Sequence, residues 1–164
     1  MNKLNIFFRI IWSLCGLLIV GAVLLLAVLN FFSKPEGNGM FGFKGYTVIS
    51  GSMAPTLLVG DYVVVRAEDF DQLHAGEIIT FEDDGMMVTH RIISQTAAGF
   101  QTRGDHNTVN DMKQVTADKY IGTLTLHIPY VGHVMIWMQN PLIFAVVLGL
   151  IAVRIAFLIL FKHE

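Results

Sequence analysis

Glu77-Ile78-Ile79-Thr80-Phe81-Glu82-Asp83-Asp84-Gly85-Met86-Met87-Val88-Thr89-His90-Arg91-Ile92-Ile93 decides how the middle of this chain is read. Two runs rich in β-branched and aromatic residues, Glu77–Phe81 and Val88–Ile93, flank Asp84-Gly85. Asp-Gly supplies the positive φ angles that a two-residue hairpin turn requires. Further runs of the same character are Tyr46–Ser50, Tyr62–Arg66 and Thr123–Ile128, each bounded by turn residues. Few segments here repeat apolar residues at helical spacing. The sequence therefore predicts a mainly β domain, a small barrel or sandwich.

Outward from these strands the composition changes. Of the 164 residues, 54% are hydrophobic and only 15% are charged, against about 25% charged in soluble domains. The excess collects at the two ends. Ile6–Phe32 is almost wholly apolar, with Arg9 near its start and Asn30 near its end. A membrane-spanning helix needs about 20 such residues. This run also exceeds the apolar core of about 7–15 residues in a cleaved leader, so an uncleaved anchor is expected. Leu142–Phe161 is the second run, opening after Asn140-Pro141, which suits a helix start, and closing on Lys162-His163. Arg154 interrupts it and is expected to snorkel to the basic end or to face a partner.

Three regions follow: a membrane anchor at 1–32, a β-rich domain at 33–139, and a transmembrane helix with a short tail at 140–164. Ser33-Lys34-Pro35-Glu36-Gly37-Asn38-Gly39 reads as the linker into the domain. Lys3, Arg9 and Lys162 place both termini on the cytoplasmic side of a multi-pass cell-membrane protein, with the β domain on the extracytoplasmic face. The lipid bilayer is thus an expected partner. The net charge of −2 and the absence of any Lys/Arg-rich run give no reason to expect nucleic acid. Cys15, the single cysteine, lies in the first apolar run and is expected to be buried as a small hydrophobe.

Three clusters in the domain carry potential chemistry. Ile49-Ser50-Gly51-Ser52-Met53-Ala54-Pro55-Thr56 presents Ser52 just past a predicted strand. A serine hydroxyl becomes a nucleophile once a neighbouring base takes its proton. Ser50-Gly51-Ser52 is also ordinary loop sequence. In Met87-Val88-Thr89-His90-Arg91-Ile92-Ile93, strand alternation sets His90 on one face with Val88 and Ile92. That placement suits a packed core histidine and equally a neutral imidazole able to accept a proton. Arg103-Gly104-Asp105-His106-Asn107, with Asp111 beyond, forms a tight polar turn. Either aspartate could fold back to orient an imidazole, and either could simply make the turn. No metal is expected, since Cys15 has no cysteine partner and His74, His127, His133 and His163 lack ligand spacing.

Taken together, Ser50-Gly51-Ser52-Met53-Ala54-Pro55-Thr56, Gly60-Asp61, Gly76-Glu77-Ile78-Ile79, Thr89-His90-Arg91-Ile92 and Thr102-Arg103-Gly104-Asp105-His106-Asn107 resemble the type I signal peptidase family in order and spacing. Histidine at position 90 resembles the Ser–His branch found in the endoplasmic reticulum, archaea and some Gram-positive bacteria, not the Ser–Lys branch. Ala54 stands where that branch commonly has an acidic residue, and Arg103 where it has lysine.

The resemblance implies a β catalytic domain flanked by membrane helices, with Ser52 as nucleophile and His90 as base. It also implies that Asp105 and Asp111 fill the two acidic positions, Asp111 being the better candidate to support the histidine. Ser50 would join the Ser52 backbone N–H in an oxyanion hole. The implied activity is serine endopeptidase removal of signal peptides from exported precursors after small residues, without a cofactor. The protein translocation machinery is a further implied partner. A peptidase dedicated to a narrow set of substrates would use the same residues. A non-catalytic anchored domain that binds exported chains would keep its function in Ser52→Ala.

Overall fold

The computed structural model describes residues 11–21, 23 and 42–160. The expected linker at 33–39, the outer parts of the first apolar run and the Lys162-His163 tail lie outside the described residues. The chain divides into two compact units, Phe32–Ile136 and the two ends combined.

The first unit is built on a single six-stranded antiparallel sheet. Its strands are β1 (Phe43–Thr47), β2 (Tyr62–Arg66), β3 (Ile78–Asp83), β4 (Met86–Thr96), β5 (Gly99–Arg103) and β6 (Tyr120–Ile128). Their order across the sheet is β1-β2-β6-β3-β4-β5, so it has two edges and is open, where a barrel or a two-sheet sandwich was expected. The hairpin that opened the sequence reading forms as predicted. Asp83 pairs with Met86, and Asp84 and Gly85 between them hold φ angles of 49° and 79°, the double positive φ of a tight hairpin turn.

Both faces of β3 are covered, because Ile78 through Phe81 are all buried. Strand alternation sends Ile78 to one face and Ile79 with Phe81 to the other. Ile79 and Phe81 join Leu73, Ile92, Phe100 and Val115 in one core. Ile78 joins Met53, Leu57 and Val63 in a second. Thr80 is fully buried yet satisfied, its hydroxyl 2.8 Å from that of Thr89 on β4. The double burial explains why β3 reads as a continuous apolar run instead of an alternating one.

Several boundaries differ from the sequence reading. β1 ends at Thr47, so Ser50 belongs to the loop and not to a strand; Val48 already donates its N–H to the Asp61 carbonyl across the base of that loop. β5 was not among the expected strands, and only its last residue, Arg103, fell in the expected polar turn; just two of its five side chains, Phe100 and Thr102, are buried. A short helix, α2 (Val131–Met138), follows β6 in a stretch for which no element was expected, and it buries Met135.

β5 pairs with β4 only from Arg91 to Thr96. The stretch Met86–His90 is paired with β3 on one side, and no described strand covers its other side. His90 is the last residue of this open edge.

The second unit contains α1 (Ile11–Gly21) and α3 (Pro141–Leu160). Asn140 caps α3, accepting the Leu142 N–H on its side-chain oxygen at 3.0 Å, and Pro141 takes the first helical position. Arg154 faces a partner within this unit. Its guanidinium donates to the Trp12 carbonyl, lies 5.5 Å from the Trp12 ring centroid, and rests where a side chain on Gly16 would have to be. Cys15, expected to be buried, is exposed on α1. Among the described residues no single helix is long and apolar enough to cross a membrane; Val131–Trp137 and Pro141–Ala156 reach that length only when taken together.

Candidate active site

The loop from Val48 to Asp61 carries Ser52, and hydrophobic burial fixes it. Met53, next to Ser52, and Leu57 are both almost fully inaccessible and pack into the second core. The base of the loop is closed by the Asp61 carboxylate, which accepts the Leu58 N–H at 2.9 Å. Ser52 is therefore held between a buried neighbour and a polar clasp. Its hydroxyl lies 3.2 Å from that of Ser50.

His90 comes from the end of the open edge of β4 and is 8% exposed, its ring edge-on to Phe81 at 6.3 Å. Its Nε2 lies 3.1 Å from Ser52 Oγ, and its Nδ1 lies 2.7 Å from Asp111 Oδ2. The Asp111 carboxylate can only accept, so Nδ1 carries the proton and Nε2 is left as acceptor toward Ser52. Nucleophile, base and carboxylate thus stand in one hydrogen-bonded line. That line can pass a proton from Ser52 to the imidazole and hold the resulting imidazolium.

The chain returns after β5 to deliver Asp111. Phe100 and Val115 exchange backbone hydrogen bonds at 2.9 and 2.8 Å, so the returning segment runs beside β5. Asp111 donates its N–H to the Thr102 carbonyl at 2.9 Å, and the Gln101 amide donates to the Asp111 carbonyl at 2.7 Å. The buried Thr102 hydroxyl donates to Asp111 Oδ2 at 2.7 Å. Sequence reasoning gave Gln101 and Thr102 no role, because their contacts exist only once β5 and the returning segment lie side by side.

Asp105 is placed elsewhere. Its carboxylate takes a two-pronged contact from Arg91, Nε to Oδ1 at 2.8 Å and Nη2 to Oδ2 at 2.6 Å, and a further bond from the Thr56 hydroxyl. Arg91 hydrogen bonding holds the Asp105 carboxyl below the usual carboxylate range, against the opposing effect of partial burial, and Thr56 adds to the lowering. Arg91 also donates to the Gly76 carbonyl at 2.7 Å. Arg91 adjoins His90 on β4, so its side chain leaves by the opposite face and takes Asp105 with it. Asp105 ties the Ser52 loop to β4 and does not hydrogen-bond the His90 ring.

The 104–106 turn, which carries Asp105, presses on the nucleophile. The His106 N–H donates to the Ser52 carbonyl at 2.8 Å. A Cβ on Gly104 would stand 2.5 Å from the Ser52 carbonyl oxygen and 3.0 Å from His90 Nε2. Glycine is needed there for close approach, a reason invisible in the sequence, where it read as turn chemistry.

Ser52 and His90 open onto a groove of about 560 Å³ whose walls are Tyr46–Ser50, Met53, Leu57 and Val63 on one side and Met86–His90 on the other. A second hollow of about 310 Å³ borders His90 and Asp111 and is lined by Phe81, Val88 and Lys113 among others. Among the described residues no group of His, Cys, Asp and Glu could hold a metal ion.

Comparison with known proteins identifies the fold's relatives. The model of the signal peptidase family, peptidase S26, matches residues 12–121. Signal peptidase I W of Bacillus subtilis (strain 168) is 35% identical over 118 residues, which cover 68% of this chain and 59% of that protein. The signal peptidase complex catalytic subunit sec11 of Dictyostelium discoideum is 30% identical over 139 residues, 76% of this chain and 74% of that protein. SEC11 of Pyricularia oryzae (strain 70-15) is 28% identical over 123 residues, 66% of this chain and 72% of that protein. The match thus spans less than two thirds of the Bacillus relative and nearly three quarters of the other two. With the family model matched over 110 residues of the 164, from 12 through 121, the chain belongs to the signal peptidase family, peptidase S26.

Proposed function

We propose that this chain is a membrane-bound serine endopeptidase that removes signal peptides from exported precursor proteins. The observation that carries the proposal is the line Ser52 Oγ, His90 Nε2, His90 Nδ1 and Asp111 Oδ2, with gaps of 3.1 and 2.7 Å. His90 takes the Ser52 proton as Oγ attacks the scissile carbonyl. The Ser52 N–H and the Ser50 hydroxyl face the developing oxyanion, each such donor being worth about 3–4 kcal/mol. The intermediate collapses as His90 returns the proton to the leaving amine, which departs as the mature N-terminus. Water then gives a proton to His90 and attacks the ester, and collapse of this second intermediate releases the signal peptide's new carboxyl end as His90 returns the proton to Ser52 Oγ. Asp111 keeps the imidazole in the tautomer both half-reactions require.

The precursor binds as an extended strand along the open side of Met86–His90, its backbone completing the ladder that β5 leaves unpaired. Its alternate side chains enter the groove beside Ser52, and the family resemblance implies small residues before the cut. The runs Ile6–Phe32 and Leu142–Phe161 anchor the enzyme in the cell membrane, with both termini cytoplasmic and the β domain outside. Sharing a bilayer with the apolar core of the signal peptide raises the effective concentration of substrate, at a site served by the translocation machinery. Purified full-length chain in lipid vesicles is expected to cleave a signal-bearing precursor. Ser52→Ala and His90→Ala each reduce the rate by about 10³-fold or more; cleavage that survives both substitutions sinks the proposal.

A further inference from the structure

Among the described residues two threonines, Thr80 and Thr102, are fully buried. Thr80 pairs with another neutral hydroxyl, that of Thr89 on β4. Thr102 stands on β5, buried on the same face as Phe100, and its hydroxyl donates to Asp111 Oδ2 at 2.7 Å. A core position of this kind suits valine, which has the same shape and no polar atom to satisfy. The hydroxyl therefore calls for a reason, and its partner is the carboxylate that supports His90.

The second donor on that oxygen is His90 Nδ1, also at 2.7 Å. Oδ2 thus takes two bonds, one from the ring and one from β5. A carboxylate oxygen has two lone pairs, so both are engaged. The main chain of Asp111 is held separately, by its N–H on the Thr102 carbonyl and by the Gln101 amide on its own carbonyl. Backbone bonds place the residue, and the Thr102 hydroxyl anchors its carboxylate independently of the ring.

That anchor has something to act against. The Asp111 side chain is 22% exposed and borders the hollow of about 310 Å³ that Lys113 and Lys119 also line. Water in the hollow competes for the carboxylate, and rotation about the Cβ–Cγ bond would carry Oδ2 away from Nδ1. Thr102 itself is buried too deeply for water to replace its hydroxyl.

We infer that Thr102 is a positioning residue, its hydroxyl holding the Asp111 carboxylate against His90 so that the ring stays aimed at Ser52 while the proton moves. The inference rests on the peptidase reading of the site. Thr102 contacts none of the reacting atoms and acts through Asp111. Loss of one hydrogen bond to a charged group corresponds to about a 10- to 100-fold fall in rate.

The test uses the full-length chain in lipid vesicles with a signal-bearing precursor. It reads kcat and KM for Thr102→Val, Thr102→Ser, Asp111→Ala and the Thr102→Val/Asp111→Ala double variant. Valine keeps the shape and the backbone bonds but no donor, whereas serine keeps the donor. Thr102→Val is expected to lower kcat about 10- to 100-fold with KM within about twofold of wild type. Thr102→Ser should stay within about threefold of wild type, since the bond is retained. In the Asp111→Ala background the valine substitution should cost nothing further, because its effect runs through the missing carboxylate. Wild-type kcat in Thr102→Val, an equal loss in Thr102→Ser, or a second full loss in the Asp111→Ala background overturns the inference while leaving the peptidase intact. Wild type that cleaves no precursor overturns the peptidase reading and this inference with it. Should circular dichroism show Thr102→Val unfolded, Thr102→Cys, alike in size with only a weak donor, carries the same expectation.

Discussion

At the scale of single residues, the candidate site depends on contacts that residue type alone does not reveal. Ser52 and His90 stand out by chemistry, but neither separates itself from a loop serine or a core histidine until the fold sets them 3.1 Å apart. By turn chemistry alone either aspartate could serve, and only the family resemblance favoured Asp111. Arg91 distinguishes them: one step from His90 along β4 it points the other way and captures Asp105, which leaves Asp111 for the ring. Gly104 was legible as a turn former and illegible as a spacer. Its substitution gives a sharp expectation, because a Cβ there meets the Ser52 carbonyl at 2.5 Å. Gly104→Ala should lower kcat by about 10²-fold, the cost of displacing a reacting group by about 1 Å. Circular dichroism should show the sheet retained, and an alanine variant cleaving at the wild-type rate would show that the turn has room to move.

At the scale of elements, local chemistry and tertiary context divide the fold between them. Asp84-Gly85 dictates its hairpin from within, so the turn was readable from two residues. β5 was not readable, because Gly99-Phe100-Gln101-Thr102-Arg103 becomes a strand by pairing with β4 and by satisfying Asp111 through Thr102. The Ser52 loop is tied to β4 through Asp105, which accepts from Thr56 of the loop and pairs with Arg91 of β4, the paired side chains being 15% and 31% exposed. Asp105 is held below the ordinary carboxylate range in the fold, so the folded state favours its ionised form more than the unfolded chain does. The resulting stability is present above the ordinary aspartate value of about 4 and is lost as pH falls from there through the lowered value. Asp105→Asn should therefore destabilise the protein by about 1–2 kcal/mol at pH 7, allowing for solvent screening. Urea unfolding should show that gap closing below about pH 4. A gap independent of pH would assign the loss to packing and not to charge.

At the scale of the whole molecule, the apolar ends and the β-rich middle were visible as a change in composition along the chain. The openness of the sheet was not, because strand runs and turns do not say whether the first and last strands meet. That openness matters to the proposed function. Completion of β5 down to Met86 would cover the stretch of β4 beside Ser52 that, among the described residues, no strand pairs, and would close that edge to an extended precursor. In the proposed mechanism Ser52 and His90 act as one catalytic unit. The direct test compares precursor cleavage by the full-length chain in vesicles for Ser52→Ala, His90→Ala and the double variant. Groups that work as a unit lose their effect together, so the double variant should be no slower than either single one. Losses that multiply in the double variant would mean that the two residues act independently, and would contradict the account.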